Sequence, residues 1–210
     1  MNSPDTPSAD ATPRRHLIGA GLVGLAGSLL PVWASRANAS PAGAAPTTTA
    51  PPKRPTNDDI SLLGFAQSVE LAAEHLFRSA IDGGALGDDA RAVVDFVRDA
   101  HEAHSDSISA LLGVPAPRSA LESAIASFGD GFSSSSESDV LAAAHELENV
   151  AVATHVQLIG RLVGVDGASL AASILMAESR FAVVFADLAG HGDIDAVLVN
   201  SAEALTPEAG

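Results

Sequence analysis

Residues 94–111 read VDFVRDAHEAHSDSISAL, and this stretch decides the fold class. Val94, Val97, Ile108 and Leu111 recur at three- and four-residue steps, the spacing of one helix face, and His101 and His104 fill the steps between them. Both imidazoles therefore point toward whatever core this helix packs against. Burying such groups is expensive unless they are paired, so partners are expected on other helices.

The same pattern, an apolar stripe with one or two polar members, occurs in three more segments. Helix B, which holds the quoted stretch, starts near Asp88-Asp89 and ends around Gly113, with Pro115 beyond. Helix A is expected from Asn57 or Asp58 to about Ile81, before Gly83-Gly84, with the stripe Leu63, Ala66, Glu70, Ala73, Phe77 and Ala80. From about Glu137 to Val163, helix C aligns Leu141, Ala144, Glu148, Ala151, His155, Leu158 and Leu162. Helix D, Gly167 to Ala189, aligns Ala171, Ile174, Glu178, Phe181, Phe185 and Leu188. Strand-like runs of β-branched and aromatic residues are scarce, so the chain is predicted to be all-α.

Loop lengths predict the topology. The A–B and C–D links are short and demand antiparallel hairpins, whereas residues 114–136 can return along the bundle; they hold Pro115, Pro117, a short helix from Ser119 to Phe128, Gly129, Gly131 and a serine run. An up-down-down-up four-helix bundle with a long B–C crossover follows. Counting from the turns, Glu70 lies as deep in helix A as His101 in helix B, and Glu148 in helix C meets the Glu178/Phe181 turn of helix D. Bundle residues 58–190 make one domain, followed by an acidic tail, 191–210, with one turn of helix expected.

The N-terminus reads differently. Arg14-Arg15 precedes an apolar run from Leu17 to Ala34, and Ala37-Asn38-Ala39 supplies a cleavage site, so residues 1–39 are expected to be a twin-arginine export signal removed after Ala39. The alternative is an uncleaved membrane anchor; no later segment is expected to span a bilayer. Residues 40–57, rich in Pro, Thr and Ala, are expected to be a disordered tether. Export implies the periplasm, cell wall or extracellular space.

Charge and composition narrow the function. The chain carries −15, and losing Asp5, Asp10, Arg14, Arg15 and Arg36 with the signal would make it −16, which disfavours nucleic acid and anionic membranes as partners of the mature domain. Cysteine is absent, which excludes disulfides and thiolate metal sites. With no Tyr and the only Trp, Trp33, inside the leader, radical relays through those residues are excluded for the mature protein. Phosphate loops, dinucleotide fingerprints and Gly-x-Ser-x-Gly elbows are missing, and His101-Glu102-Ala103-His104 has the wrong spacing for a zinc-protease helix.

Five inward-facing residues carry metal-ligand chemistry: Glu70, His101, His104, Glu148 and Glu178. On these residues, and on the leader and linker, the chain resembles the ferritin-like superfamily, in particular its exported bacterial members with a twin-arginine signal, over roughly residues 58–190. The resemblance implies a non-haem metal centre with one Glu from each of helices A and C and an E-x-x-H pair from each of helices B and D. Glu70, Glu148, His104 and Glu178 match; His101 stands where the helix B Glu belongs, and Phe181 where the helix D His belongs. The implied cofactor is a divalent metal (iron, manganese or zinc), and strong oxidase turnover is not expected because one bridging carboxylate and one imidazole are missing.

Two readings of the buried acids stay open. Either the metal ion is the partner, with a homodimer also open, or the cluster is a metal-free hydrogen-bonded network in a structural or interaction module of the cell envelope. His155, seven residues and roughly 10 Å along the helix from Glu148, reads as a satisfied core histidine. His75 and Glu74 read as solvated or interfacial, His145 and Glu146 as the outer face of helix C, and His191 as a helix C-terminal cation. Arg180 is off the stripe but long enough to reach back toward Glu178.

Overall fold

The computed structural model describes residues 50–113 and 116–207; the expected signal peptide and most of the linker lie outside the described residues. Six helices, and no strand among the described residues, follow in order: α1 Asn57–Gly83, α2 Asp88–Leu112, α3 Glu122–Phe132, α4 Glu137–Ile159, α5 Val165–Leu188 and α6 Ile194–Leu198. Helices α1, α2, α4 and α5 are the expected A to D.

Local chemistry sets the ends. Thr56 is the N-cap of α1: its Oγ1 accepts from the Asp59 amide while the Asp59 carboxylate accepts from the Thr56 amide, a reciprocal capping box. Gly84 closes the same helix at φ 72°, left-handed backbone that glycine adopts without strain. Helix α4 stops at Ile159, four residues short of the expected Val163. Gly160 caps it, and a turn carries the chain to Gly164.

Two contacts orient the helices. Asp59, at the start of α1, accepts hydrogen bonds from the amides of Val163 and Gly164 at 2.8 and 2.9 Å, so the end of α4 and the start of α5 lie beside the start of α1. At the other end, the Gly87 amide donates to Glu137, which opens α4. With short α1–α2 and α4–α5 turns, this is the up-down-down-up order. Helix α1 packs against α2 and α4, and α5 against α4 and α2. The crossover helix α3 lies over the α1–α4 gap and touches both.

Three expectations are corrected. The crossover helix begins at Glu122 and runs through Gly129 and Gly131 instead of stopping before them. A Cβ on Gly131 would meet Ala143 Cβ at 2.7 Å, so this glycine permits α3 to press onto α4 and is no breaker. The second concerns bilayer-length segments: α5 is itself long and apolar enough to cross a membrane by length and composition. In the fold it lies along α4, with Ala171, Ile174, Glu178, Ala182, Phe185 and Ala186 buried, while Val165, Met176 and Val183 are exposed. The third is His145, expected on the outer face: it is half-buried, with Nδ1 3.0 Å from the Ala182 carbonyl oxygen, because α4 and α5 pack closely there.

Ahead of α1 the chain is fastened to the bundle. The carbonyls of Pro52 and Lys53 accept from the amides of Val165 and Asp166 at 3.0 and 2.9 Å, satisfying two of the four donors that any helix start leaves free. The tail returns along α4, where Asn200 donates to the Asn149 carbonyl and the Leu205 amide donates to Thr154.

Candidate metal centre

Four helices each deliver acid or imidazole to one buried cluster. Glu70 comes from α1, His101 and His104 from α2, Glu148 and His155 from α4, and Glu178 from α5. All are fully buried except His104, which keeps a small exposed edge. Donor atoms of Glu70, His101, His104 and Glu178 lie within 4.8 Å of one another. Glu148 stands outside that group and reaches it through His101.

Glu70 is the hub. Its Oε2 lies 2.8 Å from His101 Nδ1 and 3.2 Å from His104 Nδ1, and its Oε1 lies 3.3 Å from His155 Nε2. The other ring nitrogen of His101 is 3.1 Å from Glu148 Oε1. With both Glu70 and Glu148 ionised, His101 satisfies both as an imidazolium donating two N–H groups. His155 Nδ1 donates to the Ala151 carbonyl at 3.0 Å and also sits 3.0 Å from Glu178 Oε2.

The protonation pattern follows. Burial alone would pull the His101 imidazole down, but the carboxylates of Glu148 and Glu70 outweigh it and hold His101 well above its ordinary value. For Glu70, burial pushes upward and loses to hydrogen bonds from His101 and His104, leaving the carboxyl well below the usual range. Glu148 goes the other way: burial, with the charges of Glu178 and Glu70 nearby, lifts it to about 7 despite His101. Burial works against a charged His155 too, yet Glu178 and Glu70 lift it to about 9.

Five buried atoms make no well-aligned hydrogen bond: Glu148 Oε2 and Glu178 Oε1, which face no partner, and Glu70 Oε1, His155 Nε2 and Glu178 Oε2, which meet only as ion-pair contacts at 3.0–3.3 Å. Leaving a buried polar atom unpaired costs about 1–3 kcal/mol, so this concentration at one spot calls for a ligand. The donors suit a divalent cation: bonds of about 2.1–2.4 Å place opposite ligands about 4.2–4.8 Å apart. Oxygen and imidazole donors with no sulfur fit manganese, iron or zinc.

Surrounding the cluster is an apolar wall. Phe77 stacks on His101 with centroids 5.5 Å apart, Phe185 stacks on Phe77 at 5.5 Å, and Phe132 meets Phe77 edge-on at 5.2 Å. Phe181 lies 6.4 Å from the His101 ring and contributes no donor.

The sequence expectation for Glu70 and His101 is met by their 2.8 Å contact. His155 is a buried core histidine, as expected, and it also joins the cluster. Its Nδ1 is satisfied by the Ala151 carbonyl, and its Nε2 faces Glu70 Oε1 at 3.3 Å without a well-aligned hydrogen bond. The cluster extends along the bundle axis, with Glu70 and Glu178 lying between the levels of Glu148 and His155. The i to i+7 spacing of Glu148 and His155 was the signal available. Arg180 is exposed, His75 and Glu146 are exposed, and His191 is exposed beside His145 with ring centroids 5.0 Å apart.

Comparison with known families finds that residues 58–191 match the family described as the ferritin-like domain. No curated protein and no solved structure matches the chain.

Proposed function

We propose that this chain, which belongs to the ferritin-like domain family, binds a divalent metal ion among Glu70, His104 and Glu178, with His155 and the His101–Glu148 pair closing around it. The observation that carries this reading is the set of five buried atoms without a well-aligned hydrogen bond, four of them on Glu70, Glu178 and His155. A metal bound there would supply a Lewis-acidic centre in an apolar pocket. His101, with both nitrogens given to carboxylates, positions Glu70 and Glu148.

Strong oxidase turnover is not part of the proposal. Phe181 cannot ligate, and His101 replaces a carboxylate that would bridge two cations. Metal analysis of untagged protein, compared with Glu178→Ala, tests the reading: about one bound ion in the parent and loss in the variant are expected, and a metal-free parent refutes it.

One observation favours a second reading, a metal-free module. His101 and His155 together bring up to two imidazolium charges to three carboxylates, one of which is raised to about 7, so the cluster approaches charge balance by itself. A melting temperature unmoved by chelator and by added metal supports that module.

Export through the twin-arginine route is also proposed, supported by Arg14-Arg15, the apolar run and Ala37-Asn38-Ala39. Fusing residues 1–45 to a reporter active only outside the cytoplasm tests it. An Arg14→Lys, Arg15→Lys pair should abolish the signal.

A further inference from the structure

The two bundle gaps that separate the hairpins are not equally closed. Helix α3 lies over the α1–α4 gap and packs on both of its helices, with Phe132 buried beneath it. Nothing among the described residues does the same for the α2–α5 gap, where the two helices touch far more sparsely than the partners within either hairpin. The tail does not bridge it: helix α6 packs on α5 without packing on α2, and the tail's hydrogen bonds go to α4.

The residues along that open gap are half-buried: Phe96, Ala100 and His104 on α2, and Ala177, Phe181 and Val184 on α5. Ala100 and Ala177, next in sequence to His101 and Glu178, are small side chains. His104 is the only cluster member that reaches the surface; its side chain is 16% exposed, against 0–1% for Glu70, His101, Glu148, His155 and Glu178. Phe181 stands beside it, its ring 6.4 Å from His101 and edge-on to Phe96 at 6.2 Å. On the far side, Phe77, Phe132 and Phe185 make a fully buried wall with no polar atom to receive a cation.

Resting on the reading of the cluster as a metal centre, we propose that divalent cations enter and leave through the α2–α5 seam, received first by His104, with Phe181 as the side chain that limits passage. A hydrated cation must shed water before reaching donors this deeply buried. His104 offers it a nitrogen at the threshold in exchange, and Glu70, 3.2 Å from His104 Nδ1, is the next donor inward. Phe181 restricts the width of that step without binding the ion. It should therefore set rates in both directions and leave the affinity nearly unchanged.

Stopped-flow mixing of the untagged, metal-stripped protein with Co(II), followed by cobalt absorbance, tests the route. Phe181→Ala is expected to load and release cobalt roughly tenfold faster, about 1.4 kcal/mol off the barrier, with the dissociation constant within about threefold. Phe181→Trp should slow both rates, which guards against a general loosening in the alanine variant. On the sealed side, Phe132→Leu should leave the rates alone. Rates insensitive to both changes at position 181, or a larger response to Phe132→Leu, would overturn the seam while leaving the centre standing. A parent protein that gives no cobalt signal sinks the route and the metal reading together.

Discussion

Replacing Glu178 by methionine should make the metal-free protein more stable and at the same time remove its response to metal. Glu178 is fully buried and neither of its oxygens makes a well-aligned hydrogen bond, at a cost of about 1–3 kcal/mol for each such atom. Part of this is offset by attraction to His155, whose Nδ1 is 3.0 Å away. Without Glu178, His155 can return to the neutral form and still donate to the Ala151 carbonyl, so no charge is stranded. An apolar side chain of similar volume should then gain about 2 kcal/mol, the cost of the two poorly satisfied oxygens less the lost attraction to His155. For a domain of this size that is about 4–8 °C in melting temperature. Thermal unfolding followed by circular dichroism in chelator measures it. Adding manganese or zinc at about a hundred times the dissociation constant should raise the parent by about 2.7 kcal/mol and the variant by nothing, so their order reverses. A variant that melts below the parent in chelator, or that gains equally from metal, would refute the reasoning.

The remaining expectations separate positioning from binding. His101→Leu should destabilise by about 3–5 kcal/mol, because Glu70 and Glu148 lose the imidazolium between them; equal urea midpoints for parent and variant would count against that role. Asp59→Asn should cost about 2–4 kcal/mol at pH 7 through the lost cap charge and weakened bonds to Val163 and Gly164. Burial pushes the Asp59 carboxyl up, but backbone donors from Thr56, Val163 and Gly164 win and lower it, so its contribution is complete above about pH 4 and is lost as pH falls through the lowered value. The stability gap between parent and Asp59→Asn should therefore narrow in acid, and a constant gap from pH 7 to 2.5 would contradict the assignment. Gly164→Ala puts a Cβ within 2.7 Å of the Arg54 carbonyl oxygen and should detach residues 51–55, seen as faster tryptic cleavage after Lys53 with the bundle core intact.

Much of the fold was legible because helix faces are a local property. Stripes such as Val94, Val97, Ile108, Leu111 and Leu63, Ala66, Ala73, Phe77 repeat at the helical period whatever they pack against, and the short and long links restrict how four such helices connect. The facing of Glu70 and His101 was legible too, since both depths can be counted from one tight turn. Less could be read where two segments meet without a short link. Asp59 holding Val163 and Gly164, a contact spanning more than a hundred residues, has no local pattern, and neither does Gly131 admitting Ala143.

From its sequence, then, the chain had already determined an all-α bundle in the ferritin-like family, with acids and imidazoles facing inward. Whether those groups would share partners was decided only in three dimensions. The axial offset between helices α1 and α4 brings His155 beside Glu70 and Glu178, although it sits two turns from Glu148. Helical period states which way a side chain points, but contact at 3 Å depends on the relative slide of helices, which is set by the packing of the whole bundle. For the same reason only the tertiary structure shows that α3 closes one gap and leaves the seam at His104 and Phe181 uncovered among the described residues.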